Sequence, residues 1–269
     1  MSASPRSPRP KLQSQPSPAE RSSQKTLYLI RHGTGTHNSK AAVLTDSKWL
    51  DAPLDPIGEH QAVQLSIRYR KEVWEGSRPV DLVVSSPLTR CLQTAQIAFQ
   101  TGASNEDKNP HAPPPFIVHD GLREGTGVYF SDKRRKKSVL EKDFPNFSFE
   151  ASMVEEDVEW DPKKRESMTE ISRRISKFLA WVGDRPEKKI AVVTHGLIIE
   201  TAIRKYASKC LPGKIRVKTC DVYRCACIGI AHDEERMDVS GLIINKAELV
   251  QKLSRAQDDE RDFDTNLNG

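Results

Sequence analysis

Apolar runs of strand length alternate with helically spaced apolar positions along most of this chain. Four runs are continuous enough for strands buried on both faces: Thr26 to Ile30, Val80 to Val84, Phe116 to Val118 and Ile190 to Val193. Ala62, Leu65, Tyr69 and Val73 recur at three and four, as do Leu88, Leu92, Ala95 and Phe99, and Ile171, Ile175, Phe178 and Val182, which predicts three helices with one apolar face each. Ser86-Pro87 predicts the start of the second, with Ser as N-cap and Pro in the first turn. Val222 to Ala231 alternates and reads as an edge strand. Strands alternating with helices predict an α/β fold, a three-layer αβα sandwich around a mostly parallel sheet.

Residues 126–165 hold neither period and read as an insertion over the sheet edge where α/β proteins build their ligand sites. Residues 1–24 carry five prolines among many serines, with Leu12 the one large aliphatic. Burial there cannot offset the entropy of ordering, so a disordered tail is expected. The segment is basic and Ser-rich like a targeting peptide, but its prolines oppose the amphipathic helix such peptides form. Residues 255–269 are acidic and nearly free of apolar side chains, and read as a frayed end. One domain over 25–254 is the expectation.

Composition narrows the function classes. The 269 residues are 36% hydrophobic and 29% charged, ordinary for a globular protein. Net charge is +5, yet the first 25 residues hold five Lys or Arg against one acid, so the body is nearly neutral. A duplex-coating nucleic-acid binder would carry a broad basic surface, so none is expected. The richest apolar stretch, Ile190 to Ile203, is broken by Thr194, His195, Gly196 and Glu200, which excludes it as a membrane span. Five cysteines with no apolar signal segment argue against a disulfide framework and for a cytoplasmic location. Cys220, Cys225 and Cys227 lack the paired spacing of structural zinc sites, so no metal site is expected.

The chemistry lies where strands end. The first ends in Arg31-His32-Gly33 and the fourth in Thr194-His195-Gly196, so two histidines sit at carboxyl ends of strands, each before a glycine that allows a close backbone approach. A neutral imidazole nitrogen can attack phosphorus while a neighbouring guanidinium holds the phosphoryl oxygens. Arg90 falls in the first turn of the second helix, where backbone N–H groups also favour an anion. The third strand leads to Glu124, which can protonate a leaving alkoxide if desolvation keeps it a carboxylic acid.

These residues carry a resemblance. Leu27 to Asn38 (LYLIRHGTGTHN), Ser85 to Ala95 (SSPLTRCLQTA), Leu122 to Glu124 and Val193 to Gly196 stand in the order found in the histidine phosphatase superfamily, also called phosphoglycerate mutase-like. Thr36-His37-Asn38 after the glycine, the run Ser131 to Arg135, and Thr219-Cys220-Asp221 resemble the mutase-like phosphatases of plants and fungi. The resemblance implies that His32 is phosphorylated, Glu124 donates the proton, Arg31, Arg90 and His195 bind the phosphoryl group, and Asn38 contacts it. The sequence departs from the family at Gly35, where many members have a hydroxyl, and at Thr34, where glycolytic mutases have a glutamate. Lys133, Arg134 and Arg135 are expected to reach over the crevice and recognise phosphate or carboxylate, whereas His37 and His119 read as structural or surface residues.

The expected activity is hydrolysis of small phosphomonoesters through a phosphohistidine, with no cofactor and a small phosphorylated metabolite as partner. The alternatives are a phosphoglycerate mutase and a non-catalytic module that binds a phosphorylated ligand. Oligomeric state is not legible.

Overall fold

In the first strand, β1 (Lys25–Arg31), Leu27 and Leu29 face one way, Tyr28 and Ile30 the other, and all four are buried. A strand covered on both sides reads as a continuous apolar run. The computed structural model describes residues 25–39, 41–73, 80–100, 113–207, 215–229 and 242–251. The expected tails, 1–24 and 255–269, lie outside the described residues.

The other strands are β2 (Leu82–Ser85), β3 (Phe116–Val118), β4 (Phe147–Phe149), β5 (Lys189–Thr194), β6 (Val222–Gly229) and β7 (Leu242–Gln251). They form one sheet in the order β4-β3-β2-β5-β1-β6-β7. The pairings from β4 through β1 are parallel, and β6 and β7 continue antiparallel. One face carries α1 (Pro56–Val73) and α2 (Thr89–Gln100), which pack Leu65, Leu92, Ala95 and Phe99 against Tyr28, Ile30, Val83 and Val193. The other carries α4 (Met168–Asp184) and α5 (Gly196–Tyr206), with Ile171, Ile175, Phe178 and Val182 against Leu27, Leu29, Val84 and Val192. A fifth helix, α3 (Lys137–Asp143), lies between β3 and β4 and buries Leu140 with the first cluster. This is the three-layer αβα sandwich expected from the alternation.

Three local readings are corrected. β6 is not an edge, because it pairs with β1 on one side and β7 on the other. Its alternation has another cause: Tyr223, Cys225 and Cys227 are buried on one face, while the other is covered at Val222 and open at Arg224. The segment 126–165 is more than a cover, since β4 extends the sheet beside β3. The second helix begins at Thr89, two residues after Pro87, and Ser86 does not cap it. Asp51 does so from a distant loop: its carboxylate accepts from the Thr89 N–H at 2.8 Å and from the Thr89 hydroxyl.

Candidate active site

The sheet register brings four strand ends level. Arg31 pairs with Thr194, and Ser85 with both Val193 and Val118. The next residues remain tied across the strands: His32 N–H donates to Thr194 O (3.0 Å), Ser86 N–H to Val193 O (2.9 Å) and His119 N–H to Ser85 O (2.9 Å). The two strand-end histidines therefore meet, with ring centroids of His32 and His195 5.0 Å apart.

Their hydrogen bonds fix their tautomers. His32 Nδ1 lies 2.6 Å from Gly33 O, and a carbonyl only accepts, so Nδ1 carries the proton and Nε2 the lone pair. The Arg90 Nε–H points at that lone pair from 3.3 Å. His195 is the reverse: Nδ1 accepts from Arg90 Nη2 (3.3 Å), and Nε2–H donates to Ser86 Oγ (2.9 Å). Burial, reinforced by the Arg90 guanidinium, holds both imidazoles well below the usual histidine range. Both are neutral at pH 7, the state a nucleophile requires.

Arg90, in the first turn of α2, is the hub. It touches both histidines and donates to Ser131 O (2.6 Å) and to Asp132 Oδ1 (3.1 Å). Thr94, one turn on, donates to Arg90 O at 2.7 Å and accepts from the Gly33 N–H at 3.0 Å, which ties the loop after β1 to the helix. Arg31 is anchored by Val217 O at 2.6 Å, while its buried Nε–H has no partner among the described residues. Asn38 Oδ1 accepts from the Gly35 N–H at 2.9 Å, which closes the turn that carries both.

Glu124 stands partly buried beside this group, Oε2 3.9 Å from His195 Nδ1 and Oε1 accepting from the Gly125 N–H at 2.9 Å. Burial pushes its carboxyl up, and the Asp132 carboxylate adds to that; the Gly125 N–H and the Arg90 and Arg165 cations oppose it. The direction is that of a proton donor. Asp132 itself is buried and bridges Arg90 and Arg165 at 3.1 and 2.8 Å.

The structure thus brings together Arg31, His32, Arg90, Glu124 and His195, with Asn38 on the loop that follows His32. It gives Arg134 and Arg135 other work, which corrects the expectation that they reach over the crevice. Arg134 is buried, and its guanidinium donates to the carbonyls of Val154, Glu155, Glu156 and Arg135. Arg135 holds Asp51 (3.0 Å), Asp143 (2.6 Å) and the Thr89 hydroxyl (2.9 Å). Lys133 rests its ammonium 4.5 Å from the Trp160 ring centroid. Gly33 also serves a different neighbour than a ligand: a Cβ there would lie 2.5 Å from Gly58 O, so it lets the loop close on α1.

Sequence reasoning missed the roles of Asp132, Arg165 and Ser86. The run Ser131 to Arg135 entered as a resemblance, without the recognition that its acid holds Arg90. Arg165, 33 residues on, had no local signal. Thr219-Cys220-Asp221 gains a role too, since the Cys220 N–H donates to Arg31 O (3.0 Å) and Asp221 O accepts from the Arg31 N–H (3.3 Å). His119, at the end of β3, accepts from the Gly121 N–H at 3.0 Å and packs edge-on against Phe178 and Trp181, a structural role as expected.

The chain is similar to known proteins. The sequence profile of the histidine phosphatase superfamily (branch 1) matches residues 27–240. Phosphoglycerate mutase-like protein 1 of Arabidopsis thaliana is 34% identical over 215 residues, 70% of this chain and 74% of that protein. A probable phosphatase of Schizosaccharomyces pombe is 28% identical over 187 residues, 67% of this chain and 78% of that protein. Among solved structures, Bacillus stearothermophilus YhfR superposes with a TM-score of 0.52 at 18% identity, covering 86% of this chain and 98% of that one. At that identity the likeness speaks for the fold, and the sequence matches speak for descent. With its strand-end histidines, its arginine hub and these relatives, the chain belongs to the histidine phosphatase superfamily, branch 1.

Proposed function

We propose that this protein hydrolyses small phosphomonoesters through a covalent phosphohistidine on His32. The observation that carries the reading is the locked tautomer: Nδ1–H held by Gly33 O leaves the Nε2 lone pair facing Arg90, where a phosphoryl group would be bound. In the first step Nε2 attacks phosphorus, the ester P–O bond breaks, and Glu124 gives its proton to the departing alkoxide. In the second, water attacks the phosphorus, Glu124 takes its proton, and the P–N bond breaks to free inorganic phosphate and neutral His32. Arg31, Arg90 and Asn38 bind the phosphoryl oxygens and stabilise the charge in both transition states, joined by His195 once the bound dianion selects its tautomer with the proton on Nδ1 and the Ser86 hydroxyl donates to Nε2. The Arg31 and Arg90 cations supply the electrostatics that a divalent ion supplies in other phosphoryl transfers, so the reaction needs no cofactor.

Hydrolysis is favoured over mutase chemistry by what surrounds the phosphoryl site. A mutase must retain a bisphosphate, and the cations suited to a second phosphate, Arg134 and Arg135, are engaged by protein acceptors. Thr34, where glycolytic mutases have a glutamate, is turned to Gln61, with its N–H and hydroxyl 2.9 and 3.1 Å from Oε1. The relatives named for phosphoglycerate mutase keep the mutase reading as the one to test against. Incubation with phosphorylated metabolites, 3-phosphoglycerate and 2,3-bisphosphoglycerate among them, should release inorganic phosphate and leave acid-labile label on His32, lost in His32→Ala. Isomerised phosphoglycerate without phosphate release would establish the mutase; binding without turnover, a non-catalytic module.

A further inference from the structure

Position 35 and position 37 of the β1–α1 loop exclude each other sterically. A Cβ on Gly35 would lie 2.6 Å from His37 Nδ1 and 2.7 Å from its Cε1, closer than side chains approach one another. The imidazole of His37 therefore fills the volume that a side chain at position 35 would use, which gives the departure at Gly35 a physical reason. The His37 ring lies 6.1 Å, centroid to centroid, from the His32 ring. The charged and titratable groups acting on it are Arg31, Arg90, His32 and His195, all members of the phosphoryl site.

His37 Nδ1 is buried and has no hydrogen-bond partner among the described residues. Such a nitrogen is costly in a folded protein unless something else repays it. Arg31 Nε, in the same site, is buried and unpartnered in the same way. Two orphan nitrogens around one nucleophile point to a shared acceptor that the protein does not itself provide. A phosphate dianion is such an acceptor, with several oxygens and charge complementary to Arg31 and Arg90.

We infer that His37 is a substrate-binding residue whose Nδ1–H donates to an anionic oxygen of the phosphomonoester on His32, in place of a side chain at position 35. The inference rests on the phosphatase reading and adds a ligand to it. The dianion selects the His37 tautomer with its proton on Nδ1, just as the Gly33 carbonyl selects that of His32.

The test uses orthovanadate as the probe and p-nitrophenyl phosphate as the substrate, with thermal melts to verify folding. His37→Phe keeps a ring and removes the donor, so the vanadate inhibition constant should rise about 10- to 100-fold, the worth of one bond to a charged acceptor, and kcat/KM should fall with it. His37→Gln, which keeps an N–H, should recover part of the loss. Gly35→Ser alone should be impaired by collision with the ring, whereas Gly35→Ser/His37→Ala, which returns a hydroxyl to the cleared volume, should exceed His37→Ala in vanadate affinity. In the wild-type protein, vanadate should shift the His37 Nδ1 nitrogen resonance, a readout independent of any variant's folding. An unshifted resonance, or wild-type vanadate affinity in folded His37→Phe, overturns the inference. A wild-type protein that neither binds vanadate nor cleaves the substrate overturns the phosphatase reading instead.

Discussion

Arg90 and Arg134 are buried to the same degree, 1% and 2% exposed, and what they do is opposite. Arg90 rises from the first turn of α2 and spends its N–H groups on His32, His195, Asp132 and one carbonyl. Three of those four acceptors are side chains that bear on the reaction. Arg134 spends its two terminal nitrogens on four main-chain carbonyls, three of them at residues 154–156, and sets its Nε 3.5 Å from Asp120 Oδ1, away from the histidines. It pins the two limbs of the segment between β3 and α4 together. A buried guanidinium needs its donors satisfied, and whether the satisfying groups are fixed carbonyls or titratable side chains separates a staple from a site.

The comparison breaks most sharply in kinetics. Removing Arg90 takes away a cation that binds the phosphoryl oxygens whatever the leaving group, so Arg90→Ala should cost on the order of 10³-fold in kcat/KM on alkyl and nitrophenyl phosphates alike. Glu124→Gln provides the contrast, since a nitrophenolate leaves without a proton and an alkoxide does not. Its burst-phase loss should be large, about 10²-fold or more, on alkyl phosphates and much smaller on p-nitrophenyl phosphate. Equal burst losses on both substrates would remove Glu124 as the proton donor.

Arg134→Met tests the other half. It removes a buried side chain and its part-buried bonds to four carbonyls, and a loss of about 2 kcal/mol in a urea melt is expected. The folded fraction should keep its kcat/KM. A kinetic loss in Arg134→Met comparable with that in Arg90→Ala would return Arg134 to the site and collapse the distinction.

The same contrast explains what could be read from the chain. β1, β3 and β5 were legible because strands covered on both faces leave unbroken apolar runs, and the residue following such a run must lie at the sheet's carboxyl edge. His32, His195 and the position of Arg90 followed from that geometry, and the family resemblance supplied their roles. Partnership was not legible. Nothing in the run Lys133 to Lys137 distinguishes a cation that reaches a ligand from one that pins a loop, because the carbonyls taking up Arg134 lie about twenty residues away. β4 is as short as β3, but its Phe-Ser-Phe is interrupted by the exposed Ser148, so it leaves no unbroken apolar run. The Asp51 cap on α2 was equally hidden: it comes from 38 residues upstream, and the nearer Ser86, a plausible cap by sequence, is instead engaged with His195.

A smaller effect distinguishes the two regions through pH. His32 and His195 are buried and His37 is half-buried with its Nδ1 enclosed; all three are neutral imidazoles, with affinities for protons far below that of an unfolded histidine, near 6.5. The unfolded chain therefore binds more protons than the folded one as pH falls below that value. The stability due to neutral burial is present in full above about pH 6.5 and lost as pH drops, by up to about 1.4 kcal/mol per pH unit for each histidine. Glu124 acts in the opposite sense, since its raised carboxyl takes up a proton in the folded state first, as do Asp51, Glu150 and Asp157, while His119, pushed down to about 4, acts with the other histidines, which begin to act at the higher pH. Arg134 stands apart from the histidines: its terminal N–H groups go to carbonyls, and its charge acts on the carboxylates of Glu155 and Asp157. A melting temperature that falls from pH 7 to pH 5 is expected, and vanadate, bound among the three histidines, should lessen the fall. In His37→Phe one of the three histidines is gone and the slope should be shallower, whereas Arg134→Met should lower the whole curve. Parallel curves for His37→Phe and the wild type would mean that His37 is not held neutral beside the nucleophile.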